Sequence, residues 1–334
     1  MSIATNAFSA DVLNIDAAAV STAIENEIRD IVLQRLNRKG VVVALSGGID
    51  SSVVAALCLK ALGSARVLGL MLPEAESSPD SLHFANLFAQ TFGIRTHVED
   101  IAGILNAAGC YQRRDEAIRK VVPEYKDGYK CKIVLPDQVN GTAYPIFSVV
   151  VQSSAGERTS ARLTLDSYLG VLAATNFKQR TRKMMEYYYA DLFNYAVAGT
   201  PNRLEYDQGF FVKNGDGAAD LKPIAHLYKT QVYQLAVYLG IPEEIQKRPP
   251  TTDTYPLDQS QEEFYFPLPY DKMDLCLYAK NHDVQPDEVA PVIGLTPEQV
   301  VRVYHIIDST RRATRYLHRP PVLCENVPEV PHDA

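Results

Sequence analysis

The chain has 334 residues, a formal net charge of −7 and five cysteines. This length is sufficient for a full α/β core, and the acidic balance argues against a nucleic-acid binder, which normally carries a basic face. The cysteines are scattered singly without a Cys-x-x-Cys pair, a pattern that indicates neither a zinc site nor a disulfide framework.

No targeting signal is visible at the N-terminus. Residues 1–6 lack the basic and apolar regions of a secretion signal, and no apolar run approaches the roughly 20 residues that cross a bilayer. Isolated, reduced thiols are typical of the cytosol. We therefore expect a cytoplasmic protein that works without a membrane.

Helices and strands alternate along the first hundred residues. Apolar side chains recur at a helical period in some segments, and short β-branched runs typical of buried strands separate them. This alternation predicts an α/β fold with a doubly wound parallel sheet that binds ligands at the carboxyl ends of its strands. The predicted helices are 17–36, 53–62 and 81–92, and the predicted strands are 40–44, 65–73 and 95–98.

The turn after the first predicted strand is a candidate phosphate loop. Gly47 and Gly48 let backbone N–H groups approach an anion, and the following helix adds the positive end of its dipole. No Gly-Lys-Ser/Thr follows the glycines, so the turn is not a Walker loop. A tight βα turn with incidental glycines is the alternative. The polar side chains of the turn are Ser46, Asp50, Ser51 and Ser52.

The rest of the chain divides into a domain, an insertion and a tail. Residues 112–164 contain prolines and short β-like runs, which predicts an inserted β or irregular segment. We expect one domain over 1–318 with that insertion, and a proline-rich tail over 319–334. The other predicted elements are helices over 176–193, 227–239, 273–280 and 297–310, a strand over 194–199 and a loop over 251–269.

A second polar loop, residues 199–223, follows the last predicted strand. A parallel sheet places such a loop beside the first one. Its hydroxyl, carboxylate and lysine groups suit a magnesium-bound triphosphate and a second phosphorylated ligand. On composition alone, a charged surface loop is the alternative.

These segments together resemble the NAD synthetase family. Residues 46–51 are similar to the SGGxDS loop of PP-loop ATP pyrophosphatases, and residues 199–223 resemble the family pattern GTxxxxE…GxFxKxGDGxAD…P. Further matches keep the family's order, at residues 176–182, 227–232, 250–253, 261–263 and 268–271.

The resemblance implies a PP-loop, adenine nucleotide alpha hydrolase-like fold and ammonia-dependent NAD synthase activity. In this family the carboxylate of deamido-NAD (nicotinate adenine dinucleotide) attacks the α-phosphorus of ATP and pyrophosphate leaves. Ammonia then converts the adenylate to NAD and AMP. The resemblance further implies ATP as co-substrate, Mg²⁺ and a homodimer. About forty residues precede the first strand, too few for the amidase of glutamine-dependent members, so we expect free ammonia or a separate glutaminase.

The resemblance also implies roles for single residues. On the residues alone, Arg180 and Lys229 as solvated helix side chains and Asp220 as a cap remain alternatives. The implied sets are Ser46, Gly47, Gly48, Asp50, Ser51, Ser52, Thr200, Lys229 and Thr251 for ATP; Asp50 and Glu205 for magnesium; Arg180, Lys213 and Asp220 for the dinucleotide; and Asp50, Glu205 and Lys213 for catalysis. Residues 251–263 are predicted to be a lid.

Three departures from the family pattern leave questions open. Glu74 and Glu76 stand where many members have an arginine, Gln179 replaces an alanine, and the 112–164 insertion has no assigned role. The contacts of the C-terminal arginines 311, 312, 315 and 319 are also open. Another PP-loop adenylating ligase with a different carboxylate acceptor, or a non-catalytic adenine-nucleotide sensor, remains an alternative.

Overall fold

A four-stranded parallel sheet with strand order β3-β2-β1-β7 forms the centre of the protein. It is seen in a computed structural model that describes residues 8–135, 139, 147–250, 255–259, 264–325 and 327–330. The sheet confirms the predicted α/β fold. Its strands are β1 (Val41–Ala44), β2 (Val67–Met71), β3 (Arg95–Val98) and β7 (Ala196–Ala198).

Helices cover both faces of this sheet, because alternate residues of a buried strand point to opposite sides. Val41 and Val43 pack in one apolar cluster with α1, α2, α3 and α8, whereas Val42 packs in another with α4 and α6. The α-helices described from the N-terminus to residue 247 are α1 (Ala17–Asp30), α2 (Ile49–Leu62), α3 (Pro79–Phe92), α4 (Ala102–Ala107), α5 (Cys110–Arg119), α6 (Leu165–Phe193), α7 (Arg203–Gln208), α8 (Lys229–Leu239) and α9 (Glu243–Lys247).

The predicted insertion contains a second, antiparallel sheet in the order β4-β5-β6. Its strands are β4 (Lys130–Val134), β5 (Ser148–Gln152) and β6 (Arg158–Arg162). The prediction of β structure is confirmed here, but it was wrong for residues 112–119, which belong to α5. That helix buries positions 110, 114, 117 and 118, and an arginine at the second of them obscures the apolar stripe.

Helix α6 joins the two sheets. It has 29 residues and begins at Leu165, where Thr164 caps it, rather than at the predicted residue 176. Val171 near its start packs with the small sheet, and Ala190 near its end packs with the parallel sheet. The helix therefore carries residues 176–183 across the gap between the sheets.

Three C-terminal helices form a third packed unit with Leu13, Leu204 and Phe266. They are α10 (Tyr270–Asn281), α11 (Pro286–Ile293) and α12 (Pro297–Thr314). The first and last extend the predicted helices, whereas α11 was not predicted because it is short and contains Pro291. Among the residues that the structure describes, no helix combines the length and apolarity that a membrane span requires.

Candidate active site

A cavity of about 600 Å³ opens at the carboxyl edge of the parallel sheet. It lies where the loops after β1, β2 and β7 meet α6, the small sheet and the end of α12. Most of the predicted site residues line it: Ser46, Gly48, Asp50, Ser51, Arg180, Thr200, Glu205, Lys213 and Lys229. Thr251 lies outside the described residues, as does most of the predicted lid.

The phosphate loop is held in shape by its own hydroxyls. Ser51 Oγ and Ser52 Oγ donate to the carbonyl of Gly48 at 3.0 and 2.9 Å, and the Ser46 N–H donates to Ser51 Oγ at 3.3 Å. Gly48 is the N-cap of α2, so the loop presents the helix N-terminus to the cavity. Gly47 has a φ of +74°, and a Cβ there would lie 2.4 Å from the Ser81 carbonyl oxygen.

Gly47→Ala is expected to weaken ATP binding about tenfold or more, because a left-handed backbone costs a non-glycine residue about 1–2 kcal/mol and the methyl group also meets Ser81. Gly63→Ala is the matched control, since Gly63 has a φ of +80° with nothing within 4 Å of its added Cβ. Calorimetric titration with ATP measures the effect. If both variants lose the same ATP affinity, the loss comes from general backbone strain, and Gly47 has no specific role in the phosphate loop.

The charged centre of the cavity joins Asp50, Lys229 and Glu205. Lys229 Nζ pairs with Asp50 Oδ2, and Asn202 Nδ2 donates to Asp50 Oδ1 at 3.2 Å. Asn202 also forms a reciprocal capping box with Glu205, which fixes the carboxylate at the start of α7. Burial alone would lower the pKa of Lys229, but the carboxylates of Asp50 and Glu205 raise it above its ordinary value. Sequence reasoning missed Asn202, although Asn-x-x-Glu is a capping signal.

The donor set at this centre suits a magnesium ion. Two carboxylates, together with phosphate oxygens and water, are the ligands that Mg²⁺ prefers. Asp50 and Glu205 both act on the same buried ammonium group, so their negative charges converge on one region of the cavity. The chemistry of these residues therefore fits the magnesium ion that the family resemblance implies.

Asp274 lies beneath this centre and was also missed. Its side chain is fully buried, and Oδ2 accepts from the N–H and the hydroxyl of Thr230 at 2.7 and 2.8 Å, so it holds the first turn of α8, which begins at Lys229. Oδ1 has no hydrogen-bond partner among the described residues. Burial raises the pKa of Asp274 to about 6, although the Thr230 hydrogen bonds and the nearby Lys229 oppose the shift.

The pH dependence of stability is expected to change in Asp274→Asn. A carboxyl group whose pKa is raised by folding contributes stability that is present below its unfolded pKa and is lost as the pH rises through about 6. The unfolding free energy of the native chain minus that of the variant should fall by about 2 kcal/mol from about pH 4 to about pH 7. Urea unfolding at several pH values measures it, and a pH-independent difference would contradict the assignment.

The predicted dinucleotide residues separate into two groups. Arg180 Nε donates to the Lys213 carbonyl at 3.2 Å, and Lys213 Nζ donates to the carbonyls of Tyr316 and Arg319 at 2.8 and 3.0 Å. Both side chains line the cavity, but Asp220 does not. Its carboxylate accepts from the Val197 N–H at 2.7 Å, so in this chain it fastens the loop to β7. Its role in binding the dinucleotide stays a prediction.

Further charged residues that line the cavity were not singled out from the sequence. Burial raises the pKa values of Glu186 and Asp216, even though Lys183 lies close to both. Arg248 Nη2 donates to Ser81 Oγ at 2.9 Å, which places a guanidinium beside the phosphate loop. No local sequence pattern predicts that these residues line the cavity, because they come from helices and loops that are distant in the chain.

The loop after β2 shows why this chain has glutamates there. Lys178 of α6 is buried and pairs with Glu74 at 3.0 Å and Glu76 at 2.7 Å. Arg114 of α5 pairs with Glu76 at 2.6 Å, and Tyr111 donates its hydroxyl to Glu74 at 2.7 Å. Burial opposes the ionisation of Glu76, but Lys178 and Arg114 keep its pKa below the ordinary value. The two glutamates therefore hold the loop after β2 against α5 and α6.

Comparison with known proteins decides the family. A model of the NAD synthase family matches residues 20–125 and 137–316. The chain belongs to the NAD synthase family. The NH(3)-dependent NAD(+) synthetase of Rhizobium rhizogenes strain K84 is 55% identical over 322 residues, which cover 96% of this chain and 97% of that protein. The enzyme of the same name from Rhizobium meliloti strain 1021 is 56% identical over 323 residues, covering 97% and 96%.

The fold agrees with that of a solved NAD synthetase. The NH3-dependent NAD synthetase of Campylobacter jejuni superposes with a TM-score of 0.61 at 23% identity and covers 93% of this chain and 100% of its own. The resemblance to NAD synthetases, the PP-loop fold and the NAD synthase class are thus confirmed. The interval 126–136, which the family model leaves unmatched, contains β4.

Proposed function

We propose that this NAD synthase amidates deamido-NAD to NAD with ammonia, converting ATP to AMP and pyrophosphate. The observation that carries the proposal is one cavity that holds the phosphate loop, the Asp50–Lys229–Glu205 centre and the basic residues Arg180 and Lys213. The hydroxyl, carboxylate and basic groups that line it suit a triphosphate and a second phosphorylated ligand, which supports the proposal. The full-length similarity to NH(3)-dependent synthetases supports the same reaction.

In the first step the nicotinate carboxylate attacks the α-phosphorus, and the bond to the β-phosphate breaks. The nucleophile is already ionised, so the protein's task is alignment and charge neutralisation. Backbone N–H groups at Gly47 and Gly48 and the N-terminus of α2 hold the phosphates. Lys229 neutralises their charge. The hydroxyls assigned to ATP with them are those of Ser46, Ser51, Ser52, Thr200 and Thr251.

Magnesium belongs to this proposal. Asp50 and Glu205 would hold the ion, which when bound neutralises phosphate charge. Asp50 would then be shared between two positive partners, Lys229 and the magnesium ion.

In the second step ammonia attacks the carbonyl carbon of the adenylate, and AMP leaves with the bridging oxygen. Arg180, Lys213 and Asp220 are assigned to holding the dinucleotide during this step. The catalytic unit that we propose covers residues 1–318, with 319–334 as a tail. The five free thiols support a reducing, cytoplasmic setting.

The experiment is pyrophosphate release from ATP, magnesium and ammonium, with and without deamido-NAD, while NAD is followed by mass. We expect pyrophosphate release that depends on deamido-NAD, with one NAD formed per pyrophosphate. Release with another carboxylate instead would identify a different amide-forming ligase, and ATP binding without turnover would identify a sensor. Replacing ammonium with glutamine, which we expect to stop NAD formation by this chain alone, tests whether a separate glutaminase is needed.

We also propose a homodimer that pairs through α6. Met184, Tyr188 and Leu192 recur every four residues on this helix and are 53%, 55% and 58% exposed. An apolar stripe of this kind, on the helix that carries Arg180, suits a second copy of the chain. Light scattering should show that Tyr188→Glu dissociates the dimer, whereas Val237→Glu, at an exposed apolar position of α8, leaves it intact.

A further inference from the structure

The outer edge of β4 is paired with a segment that lies far away in sequence. The Leu257 N–H donates to the Cys131 carbonyl at 3.3 Å, and Gln259 Nε2 donates to the Ile133 carbonyl. Lys132 Nζ donates to the Asp258 carbonyl at 3.1 Å. One main-chain and two side-chain hydrogen bonds thus hold residues 257–259 along the edge that β4 turns away from β5.

This segment places one aromatic side chain, Tyr255, against the cavity. Tyr255 is buried and lies edge-on to Phe264, with ring centroids 5.7 Å apart. On the side of the small sheet, Phe147 stacks on Tyr168 at 4.5 Å, and Ile133 of β4 lines the same space. The face formed by Ile133, Phe147, Tyr168, Tyr255 and Phe264, here called the aromatic wall, therefore combines the insertion and the first turn of α6 with Tyr255 of the 255–259 segment and the nearby Phe264.

The aromatic wall continues to the charged centre. The ring centroids of Phe210 and Phe264 are 5.9 Å apart, and the Phe210 ring stacks on that of Tyr265 with a centroid distance of 4.5 Å. The Tyr265 hydroxyl donates to the carbonyl of Gln208, the last residue of α7, at 2.7 Å. Because Glu205 also lies on α7, the aromatic wall ends beside a residue that we propose holds magnesium.

We propose that β4 holds residues 255–259 so that the aromatic wall keeps water from the adenylate, and that Gln259 is the positioning residue of this contact. Gln259 is only 2% exposed, and its amide reaches a main-chain carbonyl at the edge of β4, where no strand pairs among the residues that the structure describes. β4 lies in the interval that the family model does not match, so the anchoring is a property of this chain's insertion. The inference rests on the proposed reaction and deepens it.

The chemical consequence is a choice between two nucleophiles. Ammonia forms a C–N bond at the carbonyl carbon, AMP leaves with the bridging oxygen, and a proton goes to solvent. Water forms a C–O bond instead, so AMP leaves while deamido-NAD is regenerated. Every hydrolysed adenylate thus consumes an ATP without yielding NAD, and exclusion of bulk water suppresses this loss.

The test is the ratio of AMP to NAD formed by Gln259→Leu, which keeps the buried volume but removes the amide donor. At low ammonium we expect the ratio to rise from about one to about three or more, because water reaches the adenylate. At saturating ammonium the ratio should return toward one, while pyrophosphate release stays near the native rate. A merely damaged enzyme would instead lose pyrophosphate release and NAD formation together, and that outcome would overturn the proposal.

A pair of surface variants keeps the test decisive if Gln259→Leu does not fold. Lys132→Met removes the contact with Asp258, whereas Lys130→Met makes the same change two residues away at an exposed position of β4. We expect a raised ratio only for Lys132→Met. A ratio of one in both variants at low ammonium would overturn the proposal, whereas a native enzyme that forms no NAD would refute the proposed function instead.

Discussion

Asp50→Asn is expected to lower kcat/KM for NAD formation by about 10²–10³-fold, the usual effect of removing one electrostatic group from the reacting centre. Asp50 is a partner of Lys229 and one of the two carboxylates that we propose hold magnesium. The amide keeps the shape and the contact with Asn202, but it carries no charge. Pyrophosphate release measures the first chemical step directly, and the loss should appear there as well as in NAD formation.

Asp100→Asn is the matched control for this experiment. Asp100 is exposed and its carboxylate accepts from the Ala102 N–H at the start of α4, outside the cavity. We expect this variant to retain native activity. An Asp50→Asn enzyme that releases pyrophosphate at the native rate would remove Asp50 from the reacting centre and would favour the view that the Asp50–Lys229 pair serves only stability.

Lys178→Met should destabilise the protein by about 3–5 kcal/mol, because it leaves the buried Glu74 without its cation and weakens the pairing of Glu76. Lys178 is 1% exposed, so water cannot replace the lost ammonium group. Urea unfolding measures the change. Adding Glu74→Gln to Lys178→Met should restore part of the stability, since the unpaired charge is then gone.

Lys120→Met provides the comparison at the surface. Lys120 pairs with Asp166, but the two side chains are 53% and 79% exposed. Exposed pairs contribute about 0–1 kcal/mol, so this variant should unfold close to the native midpoint. Similar losses in Lys178→Met and Lys120→Met would contradict the view that burial makes the Glu74–Lys178 contact costly to break.

The sequence predicted features whose causes are local. The successive valines of β1 predict a buried strand, and the adjacent glycines after it predict a phosphate loop. Neither prediction depends on residues elsewhere in the chain. The parallel sheet follows from the order of such elements. The same reasoning placed Asp50, Glu205 and Lys229 together through a family resemblance, and the structure puts all three in one cavity.

Features that depend on distant partners were beyond sequence reasoning. Arg114 in α5 reads as a surface residue until Glu76 is seen to neutralise it. Asp274 lies 44 residues after Thr230, which it caps, so no short motif links them. The start of α6 was predicted at residue 176 and lies at Leu165. The first turns of the helix pack on the small sheet, and the proline pattern did not reveal the strands of that sheet.

The pairing of β1 with β7 has a consequence for synthesis. Val41 lies beside Ala196, so the strand in front of the phosphate loop gains its second neighbour only after 155 more residues have been made. At about 5–20 residues per second this takes roughly 8–30 seconds. During that interval β1 can pair only with β2, and its other edge is open to neighbouring chains. The nascent chain therefore carries an exposed strand edge next to the phosphate loop throughout this interval, which favours association between chains.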